Sequence, residues 1–268
     1  MIRQRILQWL GALLSYLCSG CGAMASLFIF CALWELAAQH YGALVLTGPL
    51  DTFAAVYQLA QEGVLWTELW ITGKRALYGL SLALLVGTLL GMLAGFFITA
   101  ALMSRPLVTV FLGMPPIAWL VLAMLWFGLG DATPIFTVFI ACFPIVFAGA
   151  LQGTRTLDNQ LTAVAQVYQL PLRMRLMDIY LPHLVAWLFP AWITALGTSW
   201  KVVVMAELLS TADGIGAALA ISRAQLDIST TLAWVVVVLG ALLTIEYLCL
   251  EPLKRHLERW RAPVHNGG

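Results

Sequence analysis

Long uncharged apolar runs, separated by short polar stretches, set the pattern of this chain. Six intervals contain no Asp, Glu, Lys or Arg: 6–34, 76–104, 106–130, 132–154, 179–200 and 228–245. A helix needs roughly 20 apolar residues, at 1.5 Å each, to cross about 30 Å of hydrocarbon. The sixth run is slightly short, but apolar character resumes beyond Glu246 through Cys249 and Leu250. The fifth is prolonged beyond Lys201 by Val202, Val203, Val204, Met205 and Ala206. Apolar residues follow one another instead of alternating, so the runs predict helices and not barrel strands. The fold class predicted is an all-α membrane protein with about six transmembrane helices.

The polar stretches between the runs have their own signals. In 40–73, Gly48-Pro49 predicts a turn and Asp51 the N-cap of an amphipathic helix. In 209–227, Asp213-Gly214-Ile215-Gly216 predicts a turn leading into a short surface or re-entrant helix. The longest charged interruption lies between the fourth and fifth runs, where Arg155, Asp158, Arg173, Arg175 and Asp178 cluster. No repeat of solenoid period and no low-complexity linker divides the chain, so 1–268 is expected to be a single transmembrane domain.

Composition narrows the class. The chain is 62% hydrophobic and 10% charged, with a mean hydropathy of +0.91. Soluble domains carry about 25% charged residues, so much of this surface must face membrane lipid. A net charge of +1 lacks the basic footprint that nucleic acid requires. With six spans both termini share one side. Placing them inside puts ten cations there: Arg3, Arg5, Arg105, Arg155, Arg173, Arg175, Lys254, Arg255, Arg259 and Arg261. The other side receives Lys74, Arg75 and Arg223. That asymmetry predicts cytoplasmic termini and a cytoplasmic loop at 155–182.

Within that loop, Leu170-Pro171 marks a break. Leu172, Leu176, Ile179 and Tyr180 then recur at helical spacing, with Arg173, Arg175 and Asp178 between them. Leu181-Pro182 is expected to end this helix, since proline disfavours helix in the residue before it. An amphipathic helix of this kind suits either a groove on a partner protein or anionic lipid headgroups.

The segment VAQVYQLPLRMRLMDIYLP resembles the cytoplasmic coupling loop of binding-protein-dependent ABC importer permeases of type I. Their motif carries Glu-Ala-Ala, then Gly, then Leu-Pro. Counting back from Pro182, with Leu181 before it, places the Gly slot at Gln169 and the Glu-Ala-Ala slots at Ala163, Val164 and Ala165. The Leu-Pro and one Ala are kept, while the Glu and the Gly are absent. Residues 115–136, 197–209, 213–216, 46–53 and 73–91 resemble permeases of the taurine, alkanesulfonate and nitrate group, so the likeness covers nearly everything past residue 30. The resemblance implies a homodimer in the bacterial inner membrane. It would be driven by separate ABC ATPase subunits and supplied by a periplasmic or lipoprotein solute-binding protein. Implied cargoes are sulfonates, nitrate and similar small anions, or vitamin precursors. A non-transporting membrane scaffold is the other reading, and the two missing motif residues favour it.

Other positions concern the path and the packing. Gly87, Gly91 and Gly95 form a stripe that lets two helix backbones approach, either within the chain or across a dimer. Lys201 and Glu207 flank the far end of the fifth run, beside Trp200. Six residues apart they do not share a helical face, so each is expected to find its own partner. They either line a translocation path or pair structurally near the interface. Pro115, Pro116 and Pro144 free carbonyls at membrane depth, as packing kinks or as a wet lining. Cys18 and Cys21 have CxxC spacing inside an apolar run without further ligands, and read as packing residues. No Gly-x-x-x-x-Gly-Lys-Ser/Thr loop, catalytic triad or metal-ligand set occurs, so no enzyme activity, metal or cofactor is expected.

Overall fold

The computed structural model describes residues 25–26, 28–42, 45–156 and 167–251. Most of the expected first span, Cys18 and Cys21, and the Ala163, Val164 and Ala165 slots lie outside the described residues, as do the side chains of Leu172, Leu176 and Ile179. The described residues form helices and no strand. These are α1 (28–41), α2 (Pro49–Gln61), α3 (Val64–Phe96), α4 (Ile98–Gly113), α5 (Pro116–Phe127), α6 (Ala132–Arg155), α7 (Leu181–Ser210), α8 (Ile215–Ala224) and α9 (Ile228–Thr244). Four are long and apolar enough to cross a membrane: α3, α6, α7 and α9 with its continuation to Tyr247. The pair α4–α5, bent by 92°, makes a fifth if it is one broken span.

Several boundaries differ from the sequence expectation for identifiable reasons. Helix α3 begins at Val64, not Ala76, so Lys74 and Arg75 lie about three turns inside it. The expected break at Arg105 falls instead at Phe97, whose backbone is extended (φ −112°, ψ 119°). Arg105 stays helical with its side chain exposed, and the next bend comes at Met114, held extended by the proline that follows. Asp51 is not the N-cap of α2: Gly48 takes that place and Pro49 starts the helix. Asp51 sits in the first turn, where its charge complements the helix dipole.

Helix α6 is the centre of the bundle, flanked by α3 on one side and α7 on the other. Both contacts run along small residues. On the α3 side, a Cβ added at Gly87 would lie 3.0 Å from Val146 Cβ, and one at Gly91 2.5 Å from the Phe147 carbonyl oxygen. One at Gly95 would lie 2.5 Å from Thr154 Cβ. The glycine stripe thus meets α6 of the same chain, and Gly79 extends it to Val138. On the α7 side, Gly149 and Gly153 lie against Ala191 and Trp187. Lipid supplies no hydrophobic drive between helices, so backbone approach of this kind provides the cohesion. Ala76, Leu80, Ala83, Val138, Cys142, Val146, Ala195 and Val203 fill the seam.

The bent pair is anchored by aromatic contacts. Phe111 stacks on Trp119 at 5.2 Å and meets Phe143 edge-on at 6.4 Å. A second core gathers Leu65, Trp200, Ile215, Trp234 and Val237 where α3, α7, α8 and α9 converge. It holds the short helix α8 against the end of the bundle, as the Asp213–Gly216 turn predicted.

Candidate functional site

At the end of the bundle where α3 and α6 begin and α7 ends, one guanidinium ties three carboxylates together. Arg75 Nη1 donates to Glu207 Oε1 at 2.9 Å and to the Asp213 carbonyl at 2.8 Å. Its Nη2 donates to Asp213 Oδ1 at 2.5 Å, and its Nε to Asp131 Oδ1 at 2.7 Å. Nη2 also reaches Asp131 Oδ1. The planar fork of arginine makes these contacts compatible, which a lysine point charge would not. Glu207 is fully buried, whereas the Asp131 and Asp213 side chains are 72% and 55% exposed.

The remaining acceptor capacity of Glu207 goes to the turn before α8. Its Oε2 accepts from Thr72 Oγ1 at 2.7 Å and from the Gly216 amide at 3.2 Å. Thr72 Oγ1 in turn accepts from the Ile215 amide at 2.8 Å, and Glu68 accepts from the Gly214 amide. The first amides of α8 have no partner within their own helix. Side-chain oxygens from α3 and α7 supply those partners, the Thr72 hydroxyl for Ile215 and the carboxylates of Glu68 and Glu207 for Gly214 and Gly216, and the carboxylates complement the dipole. Gly214 at φ +94° makes the approach possible, because a Cβ there would strike the Glu207 carboxylate. The arrangement clamps α3, α6, α7 and α8 at one end of the bundle.

Lys201 stands elsewhere. It is exposed on α7 and lines a cavity of about 220 Å³ with Thr194, Gly197, Thr198, Leu242 and Glu246. Lys201 and Glu207, expected to have separate surroundings, do: Glu207 turns into the bundle and Lys201 outward. Trp200 is buried in the second core and donates from Nε1 to the Val238 carbonyl at 3.2 Å. The structure therefore does not bring Lys201, Trp200 and Glu207 to one surface.

At the opposite end of α6 and α7 lies the segment with the coupling-loop spacing. A short helical turn at Leu172–Met174 runs into a π-helix at Arg175–Tyr180 and then directly into α7. Leu181-Pro182 therefore does not end the helix. Pro182 falls in the first turn of α7, directly after the π-helix. Gln169, in the family's Gly slot, has φ +50°. Glycine is the residue that takes this left-handed conformation without steric cost. Val167, Tyr168, Met174 and Met177 are exposed apolar residues around it, and Arg173 is exposed as well.

Sequence reasoning missed Arg75, Thr72, Asp131 and Asp213 as a unit, and it missed Glu246 as a companion of Lys201. The signal for the first was available: all four lie, with Glu207, near the same end of successive spans, so one cation and three acids had to share that level.

Residues 83–262 match the family described as binding-protein-dependent transport system inner membrane component. The taurine transport system permease of Escherichia coli is 25% identical, over 98% of this chain and 97% of its own. The nitrate import permease of Synechococcus elongatus is 27% identical over 70% of this chain and 71% of its own. The bicarbonate transport permease of the same organism is 27% identical over 72% and 73%.

Proposed function

The chain belongs to the family of binding-protein-dependent transport system inner membrane components, and from that premise we propose a working assembly for it. It is a multi-pass inner-membrane permease of the ABC importer class. Two copies stand on two ATPase subunits, with α7 of each facing a shared path, and a solute-binding protein delivers cargo at the Arg75 end. The termini and the 155–182 loop are cytoplasmic. The cargo is a small solute with an anionic group, the chemistry named for the taurine, nitrate and bicarbonate relatives.

One observation carries the coupling role. The π-helical segment Arg175–Tyr180 is continuous with α7 and leaves Met177 55% accessible, and Tyr168 in the turn that precedes it is 74% accessible. Exposed apolar groups beside arginines at a helix end suit a protein groove. Leu172, Leu176 and Ile179 are the proposed anchors, with Arg173 and Arg175 as polar contacts. Ala163 and Ala165, on the preceding stretch, and Gln169 complete the contact surface. Truncating one buried anchor at an interface typically costs about 2 kcal/mol. At the Gly slot, Gln169 holds φ +50°, a left-handed conformation that glycine adopts without steric cost, which supports a turn of the motif's kind there.

The test is cross-linking in inside-out vesicles. A cysteine at Met177, in a background free of native thiols, should cross-link to the ATPase and react with impermeant thiol reagents from the cytoplasmic side. Reaction from the opposite side alone, or unchanged ATPase co-purification in Met177→Asp and Arg173→Ala, would return the chain to the scaffold reading.

A further inference from the structure

Lys201 and Glu246 pose a problem that the coupling and packing do not solve. Lys201 lies within the 30-residue helix α7 and Glu246 at the last turns of the α9 span. Both are exposed, and neither has an ion-pair partner within 4.0 Å among the described residues. Ionisable groups in the hydrocarbon region are costly unless they face a partner, a cavity or water. These two face one cavity of about 220 Å³. That is smaller than the roughly 300–1,000 Å³ of pockets for drug-sized ligands, and suits a solute of a few heavy atoms.

The polarity of the walls narrows what that solute can be. Thr194 Oγ1 donates to the Pro190 carbonyl at 2.9 Å, and Thr198 Oγ1 to the Thr194 carbonyl at 2.8 Å. Their protons are thus spent on their own helix, and what remains for a ligand is acceptor lone pairs. The lining offers one strong donor, the Lys201 ammonium, against the Glu246 carboxylate and two hydroxyl acceptors. A plain anion would meet Lys201 but also the repulsion of Glu246. A plain cation would meet the reverse. The π-turn Ile245–Leu250 begins at this wall, and such turns rotate side chains out of the regular helical register, often at functional sites.

We infer that the cavity between α7 and α9 is a binding site for a small zwitterion, its anionic group held by Lys201 and its ammonium by Glu246. The inference rests on the permease reading and narrows its cargo. A solute that carries both charges satisfies both walls at once, and neither wall then needs lipid or a fixed counter-ion.

Two probes that differ only by an ammonium decide the point: aminoethanesulfonate and ethanesulfonate. Binding is measured by saturation-transfer NMR on the permease–ATPase complex in phosphatidylglycerol nanodiscs, which contain no zwitterionic headgroup. Wild type should prefer aminoethanesulfonate by about tenfold or more. Glu246→Gln should bring the ratio near one, Glu246→Asp should retain it, and Lys201→Met should weaken both probes. Adding phosphatidylethanolamine should leave the ratio unchanged, and its loss on that addition would mean that the site holds a lipid headgroup. Equal binding of the two probes by wild type, or a preference that survives Glu246→Gln, overturns the zwitterion site while a complex that hydrolyses ATP upholds the permease reading. A chain that recruits no ATPase overturns both.

Discussion

Replacing Arg75 by methionine tests the ion cluster most directly, because it removes one side of a buried pair and little volume. Glu207, fully buried, would keep Thr72 and Gly216 as donors but lose its only charged partner among the described residues. Breaking a buried pair from one side costs about 3–5 kcal/mol. Asp131 and Asp213 add little, because their exposed carboxylates regain water and exposed pairs are worth about 0–1 kcal/mol. The expectation for Arg75→Met is therefore about 3–5 kcal/mol of lost stability, set by Glu207 alone. Glu207→Gln should cost less. Its amide must point NH₂ at either Arg75 Nη1 or the Thr72 and Gly216 donors, which forfeits a charge-assisted bond worth about 1.5–3 kcal/mol. In the double variant the introduced amide can turn its oxygen to Thr72 and Gly216 with no arginine to oppose it. The double variant should thus be more stable than the sum of the singles by about 1 kcal/mol or more. Unfolding by increasing SDS mole fraction in mixed micelles supplies the cycle. Additive singles, or an Arg75→Met loss under about 1 kcal/mol, would refute the account of Glu207 as a buried partner.

Two further outcomes follow from backbone geometry. Gly91→Leu should push α3 off α6, because even a Cβ would sit 2.5 Å from the Phe147 carbonyl oxygen; a loss of about 1–3 kcal/mol is expected from overpacking, read in the same SDS titration, while Gly73→Leu on the open side of α3 should be near neutral. Gln169→Gly should leave the melting temperature level or slightly raised and keep ATPase co-purification, since φ +50° costs an ordinary residue roughly 1–2 kcal/mol that glycine avoids, whereas Gln169→Val should lower both.

The membrane-spanning architecture was legible because uncharged runs of span length have few alternatives in a chain this apolar. The breaks were less so. A charge-free window stops at the first arginine, but Arg75 continues α3 because acids 56, 132 and 138 residues away neutralise it. Arg105 stays helical with its side chain exposed, whereas the bend at Met114 needs only the local proline. Spacing within one helix separates Lys201 from Glu207, yet the partners of Glu207 lie on another span. Period and composition speak for one element at a time, so contacts between Arg75 and Asp213, or a cavity shared by Lys201 and Glu246, emerge only once the helices are packed.

The three polar features meet on one element, and that gives α7 its mechanical sense. Its 30 residues span about 45 Å at 1.5 Å per residue. One end is continuous with the π-helical segment Arg175–Tyr180, the middle carries Thr194 and Lys201 on the cavity wall, and the far end holds Glu207 in the ion cluster. A push applied at Arg175–Tyr180 enters α7 with no intervening loop to absorb it. The far end resists displacement, because Glu207 is joined to α3 through Arg75 and Thr72, and Arg75 joins it in turn to the start of α6. Motion must then be taken up between these points. Pro190 removes one rung of the helical ladder before Thr194, and on the cavity side α7 is exposed at Thr194 and Lys201 and half-buried at Gly197 and Thr198. The weakened rung adjoins the Lys201 cavity, so under the proposed coupling role a load at Arg175–Tyr180 is expected to change the distance between Lys201 and Glu246 before it disturbs the clamp at Arg75.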